Sequence, residues 1–206
     1  MFSTLSLRLF FVALLCLPAV ATRAATVLVV GDSLSAGYGI ARELGWVNLL
    51  GQRLAQHNPA WQVVNASISG DTTANGRSRL PALLRQHEPK VLVLELGAND
   101  GLRGQPIPAM RDNLTAMIAL AQKSGARVLL VGMRIPPNYG EDYTNAFEHA
   151  YVEVAQTRKV ALVPFLLQGF AEKRELFQAD TVHPTAAAQG LMLDNVWAGL
   201  KPLLKP

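Results

Sequence analysis

Five short apolar runs recur along the chain: TVLVV (26–30), WQVV (61–64), VLVLEL (91–96), RVLLVGM (127–133) and VALVPF (160–165). They are rich in Val and Leu, and several lack polar alternation. A strand with one wet face alternates apolar and polar residues, whereas a strand covered on both faces need not. Between these runs lie stretches with helical spacing. GWVNLLGQRLAQH (45–57) puts Trp46, Leu49, Leu50, Arg53 and Leu54 on an i, i+3, i+4 pattern and stops at Asn58-Pro59. Residues 72–86 carry Leu80, Leu83 and Leu84, and 109–123 end at Ser124-Gly125, a C-terminal signal. Residues 141–157 predict another helix, and 184–203 a last one with Pro184 in its first turn. Strands alternating with helices predict an α/β fold, a parallel five-stranded sheet wrapped on both sides. Ligands in such folds gather at the carboxyl ends of the strands, near the point where strand order reverses. The loops after the strands are therefore where function is expected.

Not all of the 206 residues belong to that pattern. Residues 1–24 carry a lone basic residue, Arg8, then the apolar run LFFVALLCLPAV, then ATRA with Thr22 and Ala24 at the −3 and −1 places. This is the layout of a secretory signal peptide cleaved after Ala24. The run is too short for a comfortable membrane span, so no stable span is expected after processing. The layout predicts a protein secreted to the periplasm, with residues 25–206 as a single domain. The sole cysteine, Cys16, lies in the signal, so the mature chain rests on its core and not on disulfides. The formal charge of +4 includes Arg8 and Arg23. No Lys/Arg cluster forms a phosphate-binding stripe, so nucleic acid is not an expected partner. No amphipathic element is left over after the core is assigned, and a monomer is expected.

Three of the strands open into small or polar residues, and a fourth such stretch comes later. GDSLS follows the first, NASISGDTT (65–73) the second, GANDGLRG (97–104) the third, and ADTVHP (179–184) lies beyond the fifth. A serine hydroxyl is a poor nucleophile until a base takes its proton. His183 is the natural base, since a free imidazole titrates near pH 6.5. Asp180, three residues earlier, is close enough in a tight turn to fix the imidazole tautomer and favour the imidazolium. Pro184 restricts the backbone at His183. Asp-x-x-His-Pro thus lacks only a distant nucleophile, and Ser33, at a strand end, supplies it. The oxyanion of a tetrahedral intermediate needs donors. The N–H groups of Ser33 and Gly70 are candidates, and the Asn99 amide is a third, neutral and so expected to escape pairing with a carboxylate. Other residues have blander roles. Asp32 is expected to hold its loop through backbone hydrogen bonds, and Asp100 to do the same. Glu95 ends a strand, where pointing toward the site and buried pairing are both open. His57, His87 and His149 are expected at the surface.

Several chemistries are absent. G-x-S-x-G is missing because the residue two after Ser33 is Ser35, and Arg42 removes the third glycine of a dinucleotide loop. There is no GxxxxGK[ST] and no HExxH, so no metal or cofactor is expected.

GDSLS, the glycine of NASISGD, the G-x-N-D of GAND and DxxHP together resemble the four signature blocks of the SGNH (GDSL) hydrolase family. The likeness extends through RLPALLRQHEPK, ELGANDGLRG and the PNYG of 137–140 over nearly the whole mature chain. In these blocks it closely resembles the family's bacterial periplasmic thioesterase/arylesterase/lysophospholipase members. The resemblance implies a flavodoxin-like three-layer α/β/α fold, with Ser33 as nucleophile, Asp180 and His183 as its partners, and Ser33, Gly70 and Asn99 as oxyanion donors. It further implies Leu34, Asn138 and Tyr139 as substrate contacts, the last two on a loop lining the acyl crevice. The substrates implied are small acyl esters, thioesters and lysophospholipids. Ala98 departs from the glycine more frequent in close relatives, beside Asn99. A carbohydrate O-acetyl esterase of the cell wall and a non-catalytic lipid-binding protein stand as alternatives.

Overall fold

The computed structural model describes residues 24–205, so the expected signal peptide, residues 1–24, lies outside the described residues except for Ala24. Within them the chain runs β1 (Ala25–Gly31), α1 (Ser33–Ala36), α2 (Trp46–His57), β2 (Trp61–Asn65), α3 (Thr73–His87), β3 (Val91–Glu95), α4 (Ala98–Leu102), α5 (Ile107–Lys123), β4 (Arg127–Val131), α6 (Glu141–Arg158), β5 (Ala161–Val163) and α7 (Gln189–Leu200). The five strands form one parallel sheet in the order β2-β1-β3-β4-β5. Val27–Val30 and Val91–Leu94 are wholly buried. That is why these runs carry no polar alternation: α3, α5 and α6 cover one face of the sheet, and α2 and α7 the other.

Strand order reverses beside β1, which lies between β2 and β3. The chain leaves β1, β2 and β3 at the same edge, and their following loops meet there. Local chemistry fixes each exit. Asp32 caps α1 by accepting the Leu34 N–H, so Ser33 opens that single turn. Thr72 and Asn75 form a reciprocal capping box that starts α3 directly after the second loop.

One expected helix starts late. Pro184 does not open it. Phe177 and Pro184 form an isolated antiparallel bridge, and the Thr185 N–H donates to the Leu176 carbonyl at 2.8 Å. The backbone at 184–185 is committed to the segment 176–178, so α7 begins only at Gln189 after a short 3₁₀ turn, Ala186–Ala188. Proline's fixed φ suits an extended bridge as well as a first helical turn. Among the described residues, no helix is long and apolar enough to cross a membrane.

Candidate active site

Ser33 Oγ lies 2.9 Å from His183 Nε2, across 150 residues of chain. His183 Nδ1 lies 2.8 Å from Asp180 Oδ2. Because that carboxylate can only accept, Nδ1 carries the proton and Nε2 is left to accept from the serine. Asp180 Oδ1 accepts the N–H groups of Val182 and His183, each at 3.0 Å. The His183 backbone N–H, the His183 ring and the Val182 N–H together hold the Asp180 carboxyl down at about 2, so it stays ionised beside the imidazole.

Gly70 sits at φ +85°, left-handed backbone that a side chain rarely adopts. Its carbonyl accepts from Arg103 at 3.0 Å, which turns the peptide. Among the described residues, neither the Ser33 N–H nor the Gly70 N–H donates to a protein acceptor. Arg79 of α3 fixes the loop from below, paired with Asp71 at 2.7 Å and donating to the Ala66 carbonyl.

Asn99 differs from expectation. Its Nδ2 donates to Asp32 Oδ2 at 3.2 Å and to the Asp71 carbonyl at 3.1 Å. The neutral amide does not escape a carboxylate. Asp32 is only 1 % exposed, and its second oxygen needs a donor as much as the first. The two bonds tie the loops after β1, β2 and β3 together through one side chain.

Glu95 is fully buried beneath this turn. Its Oε2 accepts the Ser35 hydroxyl at 2.6 Å and, more loosely, the Asp32 N–H at 3.4 Å. Burial, then the nearby Asp32 charge, push its carboxyl well above the usual range. Burial likewise lifts Asp32 to about 6, against the Leu34 and Asn99 hydrogen bonds that lower it. Of the two readings left open for Glu95, buried pairing is the observed one. Asp100 holds its loop as expected, accepting the Thr73 N–H at 2.9 Å and the Thr73 hydroxyl.

A cleft of about 440 Å³ runs from Ser33, Asn99 and His183 between walls that include Leu34, Met133, Ile135, Phe165, Leu167 and Phe177. Its lining is mostly apolar, with a few polar groups that include Ser33, Asn99 and His183, the usual design of a site for an apolar ligand. Leu34 lies on the wall. Asn138 and Tyr139 do not. From that loop it is Pro136 and Pro137 that line the cleft. The Tyr139 hydroxyl donates to the Leu102 carbonyl at 2.8 Å and its ring faces Tyr143, which holds the side chain away. The wall residues gave no motif in the sequence; their apolar spacing is what core strands and loops also show.

The profile of the GDSL-like lipase/acylhydrolase family matches residues 29–191, which span every residue of this constellation. The chain belongs to that family. Among GDSL-like acylhydrolases it is 52 % identical over 181 residues to esterase TesA of Pseudomonas aeruginosa, covering 88 % of this chain and 90 % of the relative. It is 40 % identical over 188 residues to an Escherichia coli protein named thioesterase 1/protease 1/lysophospholipase L1, covering 89 % and 87 %. A crystal structure of TesA superposes with a TM-score of 0.85 at 52 % identity, covering 87 % of this chain and 99 % of the other. The parallel sheet and its order are thus those of the SGNH hydrolase fold.

Proposed function

We propose that Ser33, His183 and Asp180 form a nucleophilic relay through which this esterase hydrolyses acyl esters, acyl thioesters and lysophospholipids. The observation that carries the reading is the unbroken line Ser33 Oγ–His183 Nε2, His183 Nδ1–Asp180 Oδ2, at 2.9 and 2.8 Å. As Ser33 Oγ bonds to the substrate carbonyl carbon, its proton passes to Nε2. The carbonyl oxygen becomes an oxyanion and takes the Ser33 and Gly70 N–H groups. Asn99 joins when one of its N–H bonds turns from the Asp71 carbonyl to that oxygen. Asp180 stabilises the imidazolium without taking its proton. Nε2–H then protonates the leaving oxygen or sulfur as its bond to carbon breaks. A water repeats the sequence on the acyl-enzyme, giving the acid and restoring the Ser33 hydroxyl.

The apolar cleft supports a fatty acyl chain over an acetyl-sugar, since an acetyl group leaves most of about 440 Å³ unfilled. The relatives' names, an esterase and a thioesterase/lysophospholipase, point the same way. The whole set sits on one chain, so a monomer suffices. Residues 1–24 act as an export signal in this reading, and N-terminal sequencing of the exported protein should begin at Ala25.

Ser33→Ala and His183→Ala should each abolish hydrolysis of a p-nitrophenyl acyl ester, with circular dichroism unchanged. Asp180→Ala should retain more activity, because His183 still reaches Ser33 with poorer orientation. Near-full turnover by Ser33→Ala would overturn the mechanism.

A further inference from the structure

The two halves of the relay come from segments 150 residues apart, yet their separation is that of a single hydrogen bond. Something must set it, and Asp180 orients the ring only from within its own loop. The side chain that bridges the two segments is Gln178. Its Nε2 donates to the Tyr38 carbonyl at 2.7 Å and to the Pro184 carbonyl at 3.2 Å. Tyr38 belongs to the nucleophile's segment, for its N–H donates to the Ser33 carbonyl at 3.1 Å. Pro184 directly follows His183. The Gln178 backbone completes the hold, its N–H donating to the His183 carbonyl at 2.8 Å.

Two further features fit a built contact. Gly39 lies at φ +75°, and a Cβ there would overlap the Gln178 side-chain oxygen, so the chain turns after Tyr38 in the space that the amide requires. Arg174 then fixes the backbone around Gln178, donating to its carbonyl at 2.9 Å and to that of Phe177 at 3.1 Å. The Tyr38 ring, with its main chain held in this way, lies on the His183 ring, centroids 4.5 Å apart and planes 41° apart.

We propose that Gln178 is a positioning residue, an amide brace that sets the approach of His183 to Ser33 by tying both catalytic segments to one donor. This rests on the relay proposed above. Gln178 touches neither substrate nor the reacting atoms. Its effect appears in the proton transfers, which depend steeply on the placement of the base. It appears most where the leaving group needs a proton: an alkoxide does, whereas p-nitrophenolate departs without one.

The test is Gln178→Met, which keeps the side-chain length and removes both N–H donors. Wild type, Ser33→Ala and Gln178→Met are assayed side by side on a p-nitrophenyl ester and on an alkyl ester of the same acid. The brace predicts a kcat/KM, which reports acylation, about tenfold lower or more on the alkyl ester. It predicts a smaller loss on the p-nitrophenyl ester, KM within about twofold on both, and a native circular dichroism spectrum. Gln178→Lys, which restores N–H donors at similar reach, should recover most of the alkyl-ester rate. If Gln178→Met does not fold, Gln178→Glu replaces it, the same shape with acceptors where donors stood, and the same losses are expected. Equal losses on both esters, or losses tracking only the folded fraction, would reduce Gln178 to a structural residue and overturn the inference. So would Gln178→Met activity within about twofold of wild type while Ser33→Ala is dead. Turnover by Ser33→Ala equal to wild type overturns instead the relay itself, and the brace with it.

Discussion

Asp32, one residue before the proposed nucleophile, is 1 % exposed, and burial lifts its carboxyl from 3.8 to about 6. Near neutral pH it is mostly ionised and accepts the Leu34 N–H and the Asn99 amide. A raised carboxyl binds its proton more tightly folded than unfolded. Its contribution to stability is therefore full below about pH 4 and lost as pH rises through about 6. The shift corresponds to roughly 3 kcal/mol. Asp180 runs the other way: lowered to about 2, it adds stability above the ordinary carboxylate range that is lost as pH falls toward 2. Its exposure keeps that effect small. Asp32→Asn cannot ionise, so urea unfolding of the variant should show a flatter decline in stability between pH 4 and 7. Its new amide would face the Asn99 amide, donor to donor, and kcat should fall. An unchanged pH slope would contradict the account of Asp32. The sequence already suggested that Asp32 holds its loop through backbone hydrogen bonds, and it does accept the Leu34 N–H. The bond to Asn99 was not legible, since it joins side chains 67 residues apart.

At the scale of elements, the strands were legible from apolar runs and the helices from their spacing, because burial on one or both faces writes directly into those patterns. α7 was misread at its start because proline suits a bridge as well as a helix. The start of α2 was legible to within one residue, but what caps it was not. Gly45 offers no side-chain cap, and the Trp46 N–H is instead taken at 3.0 Å by Gln189, a buried residue at the start of α7. One amide thus secures two helices packed on the same face of the sheet. Gln189→Leu leaves that N–H without an acceptor and should cost about 1–3 kcal/mol in urea unfolding. kcat, measured well below the unfolding transition, should stay near wild type, because Gln189 contacts none of the proposed catalytic side chains. A variant as stable as wild type would show that the N–H finds another acceptor.

Across the whole molecule, a parallel sheet with order reversing beside β1 delivers three chain-distant loops to one edge. A fourth loop, pinned by the Phe177–Pro184 bridge, brings an imidazole over them. The topology made Ser33, Gly70, Asn99 and His183 legible as a set, since each follows a strand or stands in a marked acid–base pair. It could not reveal Gln178 or the cleft wall, nor decide between the two readings of Glu95, because these depend on where side chains point once the loops have met. That Pro136 and Pro137 of the PNYG loop border the cleft, and Asn138 and Tyr139 do not, has the same origin. The measurement that bears most directly on the relay is labelling by a fluorophosphonate, followed by peptide mapping. The phosphorus should be found on Ser33 alone, with labelling lost in Ser33→Ala and strongly slowed in His183→Ala. Adducts on another residue, or an unchanged labelling rate without His183, would contradict it.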